Sequence, residues 1–120
     1  MRLNLFFLPA LLLFACGKDL PALTGIDNGK WKDDKNACEG YRQSVAPSLK
    51  EELTKLKGLS EMDILQLLGR PDQNELYKRN QKFFYYYIQP GPVCPKPDST
   101  TQKLIIRFNA MGYAQRVSVE

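Results

Sequence analysis

The segment from Gly58 to Ile88 constrains the fold of this chain more than any other stretch. Ser60 can serve as the N-cap of a helix, because its hydroxyl can accept from free backbone N–H groups of the first turn. Asp63 can complete a capping box, and Gly69 can adopt the left-handed conformation that ends a helix. The aromatic run at residues 82–89 then favours a β-strand. The segment therefore predicts a helix with both ends encoded, followed by a strand.

Two further helices are predicted upstream. Residues of one apolar face recur every four positions between Trp31 and Val45, which predicts a helix there, with Asp33 or Asp34 as its cap. Trp31 itself is expected at the edge of the core or just before the first turn. A proline is tolerated in the first turn of a helix, so a second helix is predicted from Pro47 to Lys57.

The apolar period changes from about four residues to two after the third helix, which indicates strands. The predicted strands are Asn74–Arg79, Lys82–Gln89, Thr100–Phe108 and Tyr113–Val119, joined by turns at Asn80–Gln81 and Asn109–Gly112 and by a proline-rich loop at Pro90–Pro97. Helices followed by such a meander predict an α+β fold. We expect N-terminal helices packed on one face of a three- to four-stranded antiparallel meander sheet.

The N-terminus has the pattern of an export signal. A positive residue, Arg2, precedes the apolar run Leu3–Phe14, which is too short to span a bilayer as a helix. Because the run ends in Ala15-Cys16, it resembles a bacterial lipoprotein signal, which implies cleavage before Cys16 and attachment of lipid and acyl chains to that residue. Several acyl chains hold a protein on a membrane far better than one. An uncleaved anchor, or an ordinary signal cut elsewhere, is the alternative.

The predicted organisation follows from this pattern. Residues 1–15 would be the signal peptide, residues 16–30 a lipidated tether and residues 31–120 a single α+β domain. If Cys16 carries lipid, Cys38 and Cys94 are left as a pair. Pairs of cysteines in exported proteins usually form disulfides, so a Cys38–Cys94 bond is predicted, with two buried free thiols as the alternative.

The composition argues against several classes of function. The chain has 17 Lys and Arg against 13 Asp and Glu, a formal charge of +4, and no basic run, so nucleic-acid binding is not predicted. It has no His and no nucleophile-elbow, phosphate-loop or dinucleotide motif, so neither an enzyme nor a cofactor is predicted. Two distant cysteines make an incomplete zinc shell, so no metal site is predicted. Arg70 and Asp72 flank Pro71, and turn stabilisation or a partner contact would explain them.

Part of the chain resembles a known family. Gly58-Leu59-Ser60, Ile64, Leu67-Leu68-Gly69 and Pro71 match the Gly-Met-Thr…Val…Leu-Leu-Gly-x-Pro pattern of the SmpA/OmlA (BamE-like) small outer-membrane lipoproteins, and Leu104-x-Ile106-x-Phe108-x-x-x-Gly112 is similar to the closing hairpin of that family. The resemblance covers residues 58–120. It implies the family's fold, a lipid anchor in the outer membrane on its periplasmic side or at the cell surface, and a role in supporting the machinery that inserts β-barrels.

The aromatic strand supplies the candidate binding surface. Phe84, Tyr86 and Ile88 are expected inward, which leaves Phe83, Tyr85 and Tyr87 on the outer face beside Arg107 and Arg116. Tyr and Arg are typical of binding hot spots, so these five residues are predicted to contact an envelope protein partner. The alternative is that the proline-rich loop folds over this face. An inhibitor-like or small-ligand-binding domain is the second hypothesis, which a pocket between that loop and the sheet would favour.

Overall fold

Four antiparallel strands form one sheet, in the order β1-β2-β3-β4. They are β1 (Gln73–Tyr77), β2 (Gln81–Tyr87), β3 (Lys103–Phe108) and β4 (Ala114–Val119). The helices come first and are α1 (Asn28–Asp33), α2 (Tyr41–Ser44), α3 (Ala46–Leu56) and α4 (Glu61–Leu68), with a 3₁₀ turn at Lys35–Ala37. The computed structural model describes residues 20–77, 81–98 and 101–120. The predicted α+β class is confirmed.

One face of the sheet forms the core with the helices. Alternate residues of β2 and β3, with the adjoining Ile88, are buried on this face, and the first three of the following are as predicted: Phe84, Tyr86, Ile88, Leu104, Ile106 and Phe108. The helices contribute Trp31, Leu49, Leu56, Ile64 and Leu68, none of which is exposed. The ring of Phe84 meets that of Phe108 edge-on, with centroids 4.7 Å apart. The other face of the sheet is therefore turned away from the helices.

The capped ends of α4 are as predicted. The Ser60 hydroxyl accepts from the Asp63 N–H at 3.1 Å, and the Asp63 carboxylate accepts from the Ser60 N–H at 3.3 Å. The helix ends at Gly69, whose φ of 78° lies in the left-handed region. Pro47 lies in the first turn of α3, as predicted.

Removing this cap gives the first test of the fold. Ser60→Ala leaves one first-turn N–H without its acceptor, and we expect it to lower the free energy of unfolding by about 1 kcal/mol. Ser60→Thr keeps the acceptor oxygen and is the matched control. Urea unfolding monitored by circular dichroism measures both variants. Equal stability of the alanine and threonine variants would contradict this role of the hydroxyl.

The predicted single helix from Trp31 to Val45 is wrong. The backbone turns left-handed at Asn36 (φ 58°) and Ala37 (φ 60°), which no continuous α-helix permits. The Asp34 carboxylate then accepts the N–H of Glu39 at 2.6 Å and supports the turn into α2. The four-residue recurrence in this region belongs to separate short elements that bury their apolar side chains in the same core.

The folded domain also begins earlier than predicted. Leu23 and Ile26 are buried in the core, and Asp27 caps α1 by accepting the Lys30 N–H at 3.1 Å. Residues 20–30 therefore belong to the domain rather than to a tether. Trp31 lies within α1 and is fully buried, not at the edge of the core. Residues 1–15 and Cys16 lie outside the described residues.

The strand boundaries differ slightly from prediction. Gln81 is the first residue of β2 rather than part of a turn, while residues 78–80 lie outside the described part of the chain. The β3–β4 turn is as predicted, with the Gly112 N–H donating to the Asn109 carbonyl at 2.9 Å. A bulge at Arg107/Phe108 shifts the register. Across the ranges that the structure describes, no helix is long and apolar enough to cross a membrane.

Candidate functional site

The outer face of the sheet brings together four of the five predicted binding residues. In the strand register Phe83 pairs with Arg107, and Arg107 pairs with Arg116, so the three form a row across β2, β3 and β4. Tyr85 lies beside this row, and its ring stacks on that of Phe83 with centroids 6.0 Å apart and an interplanar angle of 11°. Arg116 is exposed, and the other three are half-buried. We call these four residues the outer-face cluster.

Tyr87, the fifth predicted residue, does not belong to this open surface. It is only 5% exposed, although it lies on the same side of the sheet as Tyr85. The backbone of Gly91 in the proline-rich loop lies against its ring, so close that a Cβ at residue 91 would come within 2.8 Å of Cδ2 of the ring. The prediction that Tyr87 is open to a partner is therefore wrong, and the alternative of a covering loop holds at this end of the face. Burial raises the pKa of the Tyr87 hydroxyl, and the Asp72 carboxylate raises it further.

The predicted disulfide fastens this loop. Cys38 and Cys94 are bonded, with Cα atoms 5.4 Å apart. The Gly91 N–H also donates to the Asn36 carbonyl at 2.9 Å, beside the bond. The loop is thus held to the turn between α1 and α2 by a covalent bond and a hydrogen bond. It covers Tyr87 and stops short of Tyr85.

Cations surround the aromatic part of the outer face. Lys103 Nζ lies 4.8 Å from the centroid of the Tyr85 ring, within the range of a cation–π contact. In the part of the chain that the structure describes, the Arg107 Nε atom is buried and has no hydrogen-bond partner. A buried donor without an acceptor is costly. Two acids lie on this face: Glu120, which pairs with Lys103, and Glu75, which accepts a hydrogen bond from the Tyr85 hydroxyl at 2.6 Å.

This hydrogen bond gives a pH-dependent prediction. Donation to Glu75 raises the pKa of Tyr85 from 10.0 to about 12. The folded-state pKa is raised, so the bond stabilises the fold fully below pH 10, and this contribution is lost as the pH rises through about 12. Difference absorbance of tyrosinate between the parent and a Tyr85→Phe variant would isolate this titration. Glu75→Gln should move it back toward the ordinary tyrosine value, and an unchanged titration would contradict the assignment.

A buried ion pair lies behind the site and was missed by the sequence analysis. Arg42 is buried in the core, and its Nη1 atom lies 2.6 Å from Oδ2 of Asp72, whose side chain is also buried. The same carboxylate accepts the N–H of Asn36 at 2.9 Å and that of Tyr87 at 2.8 Å. Asp72 therefore ties α2, the 3₁₀ turn and β2 together. Neither turn stabilisation nor a partner contact accounts for it.

Besides a cavity of about 310 Å³ lined by Gln73, Asn74, Glu75 and Tyr85, two further cavities lie near the site. One, of about 430 Å³, lies between the proline-rich loop and the sheet and is lined by Tyr87, Pro92, Pro97, Asp98, Thr101 and Lys103. The other, of about 550 Å³, lies beside α1 and the α4–β1 connection and includes Lys32, Lys35 and Arg70 in its lining. Within the described ranges, no group of three or more acidic or cysteine side chains is placed to hold a metal ion.

Comparison with known proteins found no match. No protein-family model, no curated protein and no solved structure matches this chain. The resemblance to the SmpA/OmlA lipoproteins thus stays a prediction that rests on the motif residues of α4 and the β3–β4 hairpin.

Proposed function

We propose that the chain is a non-enzymatic, lipid-anchored protein of the bacterial cell envelope that binds a protein partner through the outer face of its sheet. The observation that carries the proposal is the outer-face cluster, a stacked Tyr–Phe pair flanked by Arg107 and Arg116 on the side of the sheet that the helices leave open. Clusters of Tyr and Arg dominate the energetics of many interfaces.

The charge of this face indicates the chemistry of the partner. Lys103, Arg107 and Arg116 lie on it, and the acid nearest to the aromatic pair, Glu75, is engaged by the Tyr85 hydroxyl. A partner surface that presents carboxylates would pair with these cations. The proposed partner is therefore an envelope protein with an acidic patch around an apolar centre.

The anchor is the other half of the proposal. The signal-like start, the apolar run and Ala15-Cys16 support lipidation at Cys16, and the motif of α4 supports a place at the outer membrane. Attached lipid would hold the domain at the surface of the bilayer, on the periplasmic side or at the cell surface. Mass spectrometry of the mature N-terminus tests this part directly. An unmodified thiol at Cys16 would refute it.

Site-specific cross-linking tests the proposed surface. A photo-cross-linking amino acid at Gln73, which is exposed and pairs with Tyr85, would report a partner on the outer face without altering the cluster. The matched control is the same amino acid at Lys50, which is exposed on α3. An adduct from Gln73 and none from Lys50 is expected in intact envelopes.

Substitutions in the cluster sharpen that experiment. In the Gln73 cross-linking background, Tyr85→Ala or Arg107→Ala should lower the adduct yield about ten-fold or more, the loss expected for a hot-spot residue. Circular dichroism would establish that each variant is folded. An unchanged yield from both folded variants would rule out the outer-face cluster as the binding surface.

A separate observation supports a second candidate function. The cavity of about 430 Å³ between the proline-rich loop and the sheet could admit a small ligand, with Tyr87 and two prolines as apolar walls and Lys103 for an anionic group. This favours a ligand-binding envelope lipoprotein. A fragment screen by NMR would decide, since bound fragments should shift the signals of Thr101 and Lys103. Shifts confined to other regions would refute this candidate.

A further inference from the structure

Exposed apolar side chains are concentrated at one end of the described domain. Within residues 20–77, 81–98 and 101–120, five large hydrophobic side chains are exposed, and of these only Val93, on the proline-rich loop, lies away from this end. The others are Met62 (68% exposed), Leu76 (70%), Met111 (80%) and Tyr113 (45%). We call these four residues the apolar end. Single exposed apolar residues are ordinary, but four at one end of a small domain indicate a contact surface.

Hydrogen bonds and strand register connect the four residues. Leu76 pairs with Lys82, whose Nζ lies 3.0 Å from Oε1 of Glu61, the residue before Met62. The Glu61 N–H donates to the Gly112 carbonyl at 3.1 Å, in the turn that carries Met111. A β-bridge pairs Ser60 with Tyr113. The apolar end thus consists of the first turn of α4, the end of β1 and the β3–β4 turn.

The first described residues, from Leu20 to Thr24, run toward this same end when they are followed back toward the N-terminus. The N-terminal segment runs antiparallel to α3, since the Thr24 N–H donates to Glu52 and the Ala22 carbonyl accepts from Lys55, closer to the C-terminus of the helix. That C-terminus is joined to the apolar end, because the Gly58 N–H donates to the Ala114 carbonyl at 2.8 Å. The described chain therefore begins, at Leu20, on the side of the domain that carries Tyr113 and its neighbours.

The link from the described domain to the predicted lipid is short. Leu20 already packs against the core, and only four peptide units separate it from Cys16. Four units reach at most about 14 Å, even fully extended. An acylated Cys16 would consequently hold the apolar end close to the bilayer and would leave the domain little freedom to turn away.

We infer that the apolar end lies in the membrane interface, in contact with the lipid bilayer. This inference rests on the lipid anchor proposed above. Tyr suits the interface because its ring is apolar and its hydroxyl polar, and the flexible Met side chains can adapt to a lipid surface. Burial of these side chains at the acyl boundary would strengthen the membrane binding that the lipid anchor provides. The strands would then lead away from the bilayer, with the proline-rich loop farthest from it.

Quenching by brominated lipid tests this orientation. The full lipidated chain is reconstituted into vesicles whose acyl chains carry bromine, which quenches tryptophan only at close range. A Met111→Trp variant carries the reporter at the apolar end, and Val93→Trp is the matched control at the other end of the strands. Trp31 is fully buried in the domain and provides the background in both variants. We expect at least two-fold quenching of the Met111→Trp signal above that background, and none for Val93→Trp.

Each other outcome overturns the inference in a recognisable way. Vesicle-bound, lipidated protein without quenching of Met111→Trp would refute the membrane contact and leave the anchor intact. An unmodified Cys16 in unbound protein would refute the proposed anchor itself. Equal quenching of both variants would refute the orientation, and a dimer in detergent that Met111→Ser dissociates would assign the surface to a second copy. Leu76→Trp repeats the test if Met111→Trp does not fold.

Discussion

Replacing Arg42 with alanine is expected to lower the free energy of unfolding by about 3–5 kcal/mol, the range for breaking a buried ion pair. The substitution leaves the buried Asp72 carboxylate without the guanidinium that lies 2.6 Å from it. It also removes the donor to the Trp31 carbonyl at 3.2 Å and the cation that lies 4.7 Å from the Trp31 ring centroid. Urea unfolding measures the loss.

Two further variants show whether the loss belongs to the ion pair. Arg116→Ala removes an exposed arginine and should change stability by no more than about 0.5 kcal/mol. Replacing both partners, Arg42→Met with Asp72→Asn, removes the uncompensated charge, keeps an oxygen that can accept from a backbone N–H, and should recover part of the loss. A single Arg42→Ala variant as stable as Arg116→Ala would contradict the structural role of the pair.

The parts of the fold that sequence alone predicts are those encoded locally. Ser60, Asp63 and Gly69 specify α4 through their own backbone neighbours, and all three act as expected. The strands can be recognised from the alternation of apolar and polar residues, because one face of the sheet is buried under the helices and the other is not. The outer face was predictable for the same reason, and it does carry Phe83 and Tyr85.

The errors have a common physical origin in contacts between distant residues. Tyr87 alternates like Tyr85, but a loop that follows it in sequence and is bonded to Cys38 covers it. Arg42 and Asp72 are 30 positions apart, and nothing in the local pattern pairs them. The break near Asn36 depends in part on a hydrogen bond from its N–H to Asp72, so helical periodicity could not reveal it.

Removing the Cys38–Cys94 disulfide is expected to cost about 4 kcal/mol of stability, from the chain entropy that a bond across 56 positions removes from the unfolded state. The double variant Cys38→Ser, Cys94→Ser should show this loss in urea unfolding. The parent protein treated with a thiol reductant should show the same loss of stability. The reductant would break the Cys38–Cys94 disulfide, and the remaining cysteine, Cys16, is proposed to carry lipid. For a domain of this size such a loss is a large share of the total stability.

Hydrogen exchange in the variant without the disulfide distinguishes two ways in which the proline-rich loop can be held to the domain. If the disulfide holds it, the double variant should expose the Tyr87 ring and speed hydrogen exchange at the Gly91 N–H, while exchange in α4 rises only by the global loss of stability. If the packing of Gly91 on Tyr87 and the hydrogen bond to the Asn36 carbonyl suffice, exchange at the Gly91 N–H will rise only as much as exchange in α4 does, although the global loss of stability is the same. The first result is expected, because among the described residues the Gly91 N–H is the one backbone donor of the proline-rich loop that bonds to a residue outside it. It would also mean that a reducing environment uncovers Tyr87 and extends the open face of the sheet from Tyr85 toward the loop.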